Sequence, residues 1–296
     1  MSESLAALKK EDLTPEECRR GIERIKHNLV SENLSRMNLE GVRLNDANLM
    51  RTDFTESNLA CASFRGSDLM GAKLSSADLS GAVFRAAHLS QAVMRECRAH
   101  GTDFRGAKLV EANLASADLT AAKLDKTSLN RARLDSITHE NASCVNADLS
   151  KASLRVARLN GIKLRGSKIQ QADLREAELA GADLAGATLA QSNLGVADLT
   201  DADCSQAQMP EAILAGAELV RTKFNGANLE NTRLQESNLE DAVLTGANLR
   251  GADLSDVENL TPEQLQSSKI DAKTKVPDYL EVVWKSKGEF SVKRRD

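Results

Sequence analysis

A leucine slot returns at every fifth position of this chain. From Leu29 to Leu254 the slot recurs 46 times with no slip of register, and 39 of these slots hold Leu or Phe. The others hold Met94, Ala99, His139, Cys144, Ile169, Cys204 and Met209. Two residues before a slot the chain favours Ala, and just before it Asp or Asn; 14 of the 17 glycines stand two residues after one. No straight element has this period. In an α-helix, residues five apart are rotated by roughly 140°, which smears the leucines around the surface. On a strand, an odd period throws successive leucines to opposite faces. The set is buried together if the chain turns once per pentad in a constant sense, so that each slot points to a common axis. Gly tolerates the φ > 0 that such corners use, Asn and Asp bond nearby backbone, and small Ala lets the walls close over the leucines. Successive turns then stack about 4.8 Å apart with paired backbone. The expected fold is an all-β solenoid.

The motif A-(D/N)-L-x-x, seen as SADLS, EANLA, GADLA and GANLR, resembles the pentapeptide-repeat family over about residues 29–258. The resemblance implies a right-handed quadrilateral β-helix with four pentads per coil and short helical caps at both ends. Spacing alone leaves the number of sides open. Phe64, Phe84 and Phe104 recur every 20 residues, and Phe224 falls in the same series, which supports four. The 46 pentads then make about 11.5 coils, a rod of about 55 Å. Aromatics are only 3% of the chain, so this core is made of Leu and Ala.

Three segments are expected: an N-terminal helical cap over 1–28, the repeat over 29–258, and a C-terminal capping helix and tail over 259–296. The first helix is marked by a capping box at Thr14, Pro15 and Glu17 and should run to about Ile25; Thr261, Pro262 and Gln264 repeat the logic. The segment IDAKTKVPDYL resembles C-terminal caps of the family, which implies a homodimer through that cap. The stretch EVVWKSKGEFSVKRRD is either an extension of the cap holding Trp284 or a mobile tail.

With four pentads per coil, outward residues sort into faces. The face centred on Leu39, Leu59 and Leu79 carries Glu40, Asp78, Asp118, Glu140, Glu178, Asp198, Asp201, Glu218, Glu240 and Asp241, opposed only by Arg98, Arg158 and Arg221. The next face carries nine bases, among them the ladder Arg65, Arg85 and Arg105, against five acids including Asp103. The modest formal charge of −4 conceals this sidedness. The acidic residues are the candidate partner-binding set, because complementary charge steers association. A solvated charged face is the competing reading, as is a moderated Arg row on its neighbour.

A second candidate is the break in the pattern. Ala99 and Cys97, and His139 forty residues on, replace Leu or Ala in what should be the core, two coils apart with Leu119 between. A small pocket and ordinary drift in a tolerant core are both compatible with this. The histidines show no metal spacing, and no nucleophile elbow, P-loop or HExxH occurs. The expectation is therefore a non-enzyme, with no catalytic residue, metal or cofactor.

The N-terminus lacks an apolar secretory core, no run approaches a membrane span, and five cysteines without CxxC spacing fit a cytoplasmic protein. The favoured function is a scaffold whose charged sides dock a protein partner, with no direct nucleic-acid or membrane contact. The alternative comes from the resemblance: some quinolone-resistance members mimic duplex DNA with an acidic rod and bind DNA gyrase. Against it stand the adjacent basic face and the lack of long loop insertions. A structural role without a specific partner is the third reading.

Overall fold

Each pentad folds as one corner and one short side. The carbonyl of a slot residue accepts a hydrogen bond from the N–H three residues on, as in Val42 N to Leu39 O at 3.0 Å and Ala182 N to Leu179 O at 3.0 Å. Every described residue two after a slot has φ between 53° and 70°. A left-handed third residue closing such a bond is the type II turn signature. Three of the remaining N–H groups in a pentad reach neighbouring coils. Leu34 N donates to Asp53 O (2.7 Å), Arg36 N to Thr55 O (2.9 Å), and Asp53 N back to Glu32 O (2.8 Å).

The structure is a computed structural model that describes residues 13–27, 29–140, 142–285 and 289–295. It divides into two compact units, Met1–Asp148 and Leu149–Asp296, each built in the same way. Parallel bridges join residues twenty apart, from Asn33–Asp53 to Ser128–Asp148 in the first unit and from Ser153–Asp173 to Asn238–Glu258 in the second. Four pentads therefore close one coil, and each unit is a four-sided β-solenoid. The slot residues are buried throughout, with Ala two before them closing the wall. In the first unit Phe64 stacks on Phe84 and Phe84 on Phe104, with ring centroids 4.7 and 5.1 Å apart, so this column packs at the coil spacing. Ser and Thr also take the Ala position, a substitution the repeat pattern did not single out. Several of these hydroxyls bond carbonyls of the preceding coil, as in Thr52 to Leu29 O (2.6 Å) and Thr222 to Leu199 O (2.8 Å), while Ser192 and Thr232 bond the slot carbonyl three residues earlier, each at 2.7 Å; such bonds satisfy a buried hydroxyl, and Ser237 is the exception without one.

Helix α1 (Pro15–Arg24) has the expected capping box, with Thr14 and Glu17 each bonding the other's backbone N–H. It buries Ile22 and lends side chains to the first coil. Arg19 Nη1 donates to Glu40 O (3.3 Å), Lys26 Nζ to Asn45 O (2.7 Å), and Glu23 accepts from Arg43 N (2.8 Å).

The C-terminal segment begins with a helix at the capping box of Thr261 and Gln264. Helix α2 (Pro262–Gln266) is a single turn, after which the chain rejoins the coil through bridges Asn248–Lys269 and Asp253–Lys275. Strands β1 (Leu280–Trp284) and β2 (Phe290–Arg294) then pair antiparallel. Trp284 thus belongs to an ordered hairpin, because two short alternating runs can pair where neither alone could persist.

Left-handed φ is demanding for most side chains at these corners. Only fourteen of the left-handed residues are glycine; Val156 and Val196 hold φ of 56° and 59°. Val196 is also 66% exposed, so burial repays little of a backbone cost of about 1–2 kcal/mol. Val196→Asn should stabilise the second unit by about 1 kcal/mol, since Asn tolerates this conformation. Denaturant unfolding checks it, and unchanged stability would contradict a strained corner.

Candidate partner-binding face

The acidic residues assemble as columns, one set in each unit. Their place just before a slot is a structural one: Asn and Asp there accept the N–H two residues on, as Asp78 does from Ser80 N (3.0 Å) and Asp198 from Thr200 N (2.9 Å). Either residue type can fill that duty, so a negative charge is an additional choice.

In the first unit the column runs Asn38, Asn58, Asp78, Arg98, Asp118, Thr138 along successive bridges. Arg98 Nη2 donates to Asp78 Oδ2 at 2.8 Å and splits the acids. Burial pushes the Asp78 carboxyl up, but Ser80 and the Arg98 guanidinium hold it below the usual range; burial likewise pushes Asp118 up, and the bonds from Thr120 with the nearby His100 bring it below. Both are ionised at neutral pH. Glu40 is exposed and Glu140 half-buried at the neighbouring corner.

The second unit concentrates the charge. Its column runs Arg158, Glu178, Asp198, Glu218, Asn238 and Glu258, placing three carboxylates on consecutive rungs about 4.8 Å apart. Arg158 lies 3.7 Å from Glu178, while Asn160 and Asn238 donate to Glu178 and Glu218, each at 3.1 Å. Glu178 and Glu218 are one methylene longer than Asp and make no bond to the N–H two residues on among the described residues. They carry charge without the corner's structural duty. At the adjacent corner Arg221 binds Asp201 through Nε and Nη2, both at 2.7 Å. That pairing holds the Asp201 carboxyl below its ordinary range, and Glu240 and Asp241 follow exposed beside it. Glu258 extends the column beyond the last leucine slot. Slot 259 holds Asn, so the leucine pattern ended too early, although the 20-residue spacing from Asn238 points to it.

The basic neighbouring face is tempered. Asp103 accepts from Arg85 Nε (2.6 Å) and from Arg105 Nε and Nη2 (2.9 and 2.7 Å), so two rungs of the Arg ladder share one carboxylate.

The irregular set is core. Cys97 and Ala99 are fully buried, and burial pushes the Cys97 thiol up to about 12, which suits packing rather than nucleophilic chemistry. His139 is buried, with Nε2 3.3 Å from the buried Cys144 Sγ. Sequence reading did not link this pair, although they occupy consecutive slots. Burial drives the His139 pKa down to about 4, against a weaker opposing bond to the Leu119 backbone. Among the described residues no group of three His, Cys, Asp or Glu is placed to hold a metal ion, and no helix is long and apolar enough to cross a membrane.

Because the folded His139 pKa lies below its ordinary 6.5, the unfolded chain binds a proton first on acidification. The stability it withholds is intact above about pH 6.5 and is lost progressively toward pH 4, on the order of 3 kcal/mol in full. Unfolding of wild type and His139→Leu at pH 7 and 4.5 should show a smaller acid loss in the variant. Equal losses would mean that His139 is solvated in the folded state.

The pentapeptide-repeat family model matches eight copies in segments running from residue 33 to 257. No curated protein matches the chain. Among solved structures, it is similar to HetL, a pentapeptide repeat protein involved in heterocyst differentiation regulation from the cyanobacterium Nostoc sp. strain PCC 7120. Identity is 30%, over 80% of this chain and 95% of that one, with a TM-score of 0.37. It is also similar to QnrB1, a plasmid-mediated fluoroquinolone resistance protein, at 22% identity over 61% of this chain and 89% of that one, TM-score 0.32. A pentapeptide repeat protein from the Arabidopsis thaliana thylakoid lumen matches at 31% identity over 36% of this chain and 69% of that one, TM-score 0.20. With its repeats matched across most of its length, the chain belongs to the pentapeptide repeat family.

Proposed function

We propose that this protein is a non-enzymatic interaction scaffold whose acidic face docks a basic surface of a protein partner. One observation carries the reading: Glu178, Asp198 and Glu218 occupy three consecutive rungs with a single arginine, Arg158, at one end. Like charges at this spacing repel by about 1 kcal/mol per pair or less in water. A partner that brings Lys or Arg against them relieves the repulsion, and complementary fields raise its association rate. Asp201, Glu240 and Asp241 widen the same patch, and Glu40, Asp78, Asp118 and Glu140 form the weaker counterpart in the first unit. A cytoplasmic setting belongs to this reading.

A duplex-DNA mimic acting on gyrase is the second reading, favoured by the same acidity. The arginines at 98, 158 and 221 and the neighbouring bases count against it, since a DNA-binding saddle would meet them as like charge.

Asp198→Asn keeps the acceptor for Thr200 N and removes only charge; Glu218→Gln is its companion. The double variant should fold as wild type yet lose, by tenfold or more, the salt-sensitive partners that immobilised wild type retains. Identical retained sets would overturn the acidic-face reading. A supercoiling assay at low and moderate salt separates the mimic: inhibition of gyrase that the double variant loses would favour it over the scaffold.

A further inference from the structure

One N–H in each pentad, that of the residue after a slot, has no partner in the stack of coils. It depends on a side chain, usually the Asn or Asp just before the slot. Along the column of Leu49, Leu69, Leu89, Leu109 and Leu129 the first two rungs are served in this way: Met50 N donates to Asn48 Oδ1 (3.4 Å) and Met70 N to Asp68 Oδ1 (3.0 Å). The next three rungs are joined by the bridges His88–Lys108 and Lys108–Ser128. There His88, Lys108 and Ser128 stand where Asn or Asp would be, and among the described residues Ser90 N, Val110 N and Asn130 N make no hydrogen bond. Other gaps in the first unit span one or two rungs, as at Ser75 and Arg95. The surroundings are positive. Lys108 and, at the adjacent corner, Lys126 are exposed and make no ion pair among the described residues. Arg131 borders the other side, 3.4 Å from Glu111, and His88 leans toward Asp68 at 3.5 Å.

We propose that Ser90, Val110 and Asn130 form a ladder of backbone donors that receives carboxylates from a protein partner, presented on an acidic α-helix lying along the rungs. The bond is one the fold already makes. Asp68 seats a carboxylate oxygen on the equivalent N–H of Met70, so a Glu or Asp from outside takes the same place beside Lys108. A carboxylate held by a backbone N–H is a charge-assisted bond, and N–H groups pointing the same way make an anion site. Spacing selects the helix. Rungs about 4.8 Å apart ask for acceptors at about 4.8 and 9.6 Å from the first. Helix residues i, i+3 and i+7 share one face and rise about 4.5 and 10.5 Å. Alternate residues of an extended strand rise about 6.6 and 13 Å and lose the register by the third rung. None of these residues belongs to the acidic face.

Two labelled helical peptides of identical composition test this by fluorescence anisotropy with the full chain. One carries Glu at i, i+3 and i+7 on one face; the other spreads the same Glu residues around the helix. The first should bind at least tenfold tighter, and the amide signals of Ser90, Val110 and Asn130 should be the ones it shifts most. His88→Asn combined with Ser128→Asn supplies two of the missing acceptors from within. Above about pH 7.5, where imidazole is neutral, the pair of changes leaves the charge unaltered and keeps Lys108. Because it restores the motif of the neighbouring rungs, this variant should fold at least as stably as wild type, yet bind the first peptide tenfold or more weakly. Asp198→Asn with Glu218→Gln should bind it as wild type does, which separates the ladder from the acidic face. Equal binding of the two peptides, or equal binding by wild type and the His88/Ser128 variant, overturns the proposal, since bulk charge then accounts for it. So does failure to bind the first peptide at all. A duplex oligonucleotide or a phosphatidylserine vesicle that binds more tightly than the peptide, and loses that binding in the same variant, overturns the choice of an acidic helix.

Discussion

The backbone pairing of each coil with the next, twenty residues on, is the constraint from which the other features descend. It commits the N–H groups at a slot and two residues after it to one neighbouring coil, and the N–H just before the slot to the other. The chain can meet all three only by turning within five residues, and the left-handed residue is where it turns. Once backbone direction is fixed, side-chain direction follows, so slot residues have no alternative to the interior. Identical slots then lie one above another at strand spacing, which is why Phe64, Phe84 and Phe104 can stack in a file.

Five-residue periodicity was legible because no insertion interrupts it, and a core made of one slot type leaves little else to infer. The four sides were foreshadowed by the phenylalanine file and are shown by bridges such as Asn33–Asp53. Less could be read where physics acts through the backbone alone. Glycine marked the corners, yet Arg221 and Asp201 adopt the same left-handed conformation and form a bidentate ion pair from it. The division between Asp148 and Leu149 coincides with no slip of the pentads. The hairpin had a signal in two short alternating runs, EVVW and FSVKR, flanking a segment with Gly288, but alternation alone does not say that the two runs pair with each other. Membership of the candidate face was largely legible by counting in twenties; which acids are neutralised was not, because Arg98 and Arg221 act through side-chain reach.

That distinction matters for function. An Asp before a slot is ambiguous, since Asp78 and Asp198 serve the turn as Asn193 does at Gly195 N (3.0 Å). Glu178 and Glu218 are informative because glutamate gives up that bond. A column that exchanges local satisfaction for charge on alternate rungs, with Asp198 between them, has a composition that the fold alone does not require. The basic face lacks this property, since Asp103 draws Arg85 and Arg105 into local pairs.

A solenoid satisfies its backbone along its length and leaves the difficulty at its ends. At the first coil the answer is α1, whose Arg19, Glu23 and Lys26 side chains take up backbone groups of residues 40, 43 and 45. At the last coil of the second unit, Gln264 donates to Leu239 O and Ala242 O, and the Tyr279 hydroxyl bridges Leu260 N and Val257 O. Gln266 then closes β2. Each device spends one side chain on two backbone groups or one, and the sequence of closures runs outward from the coil until it reaches β1.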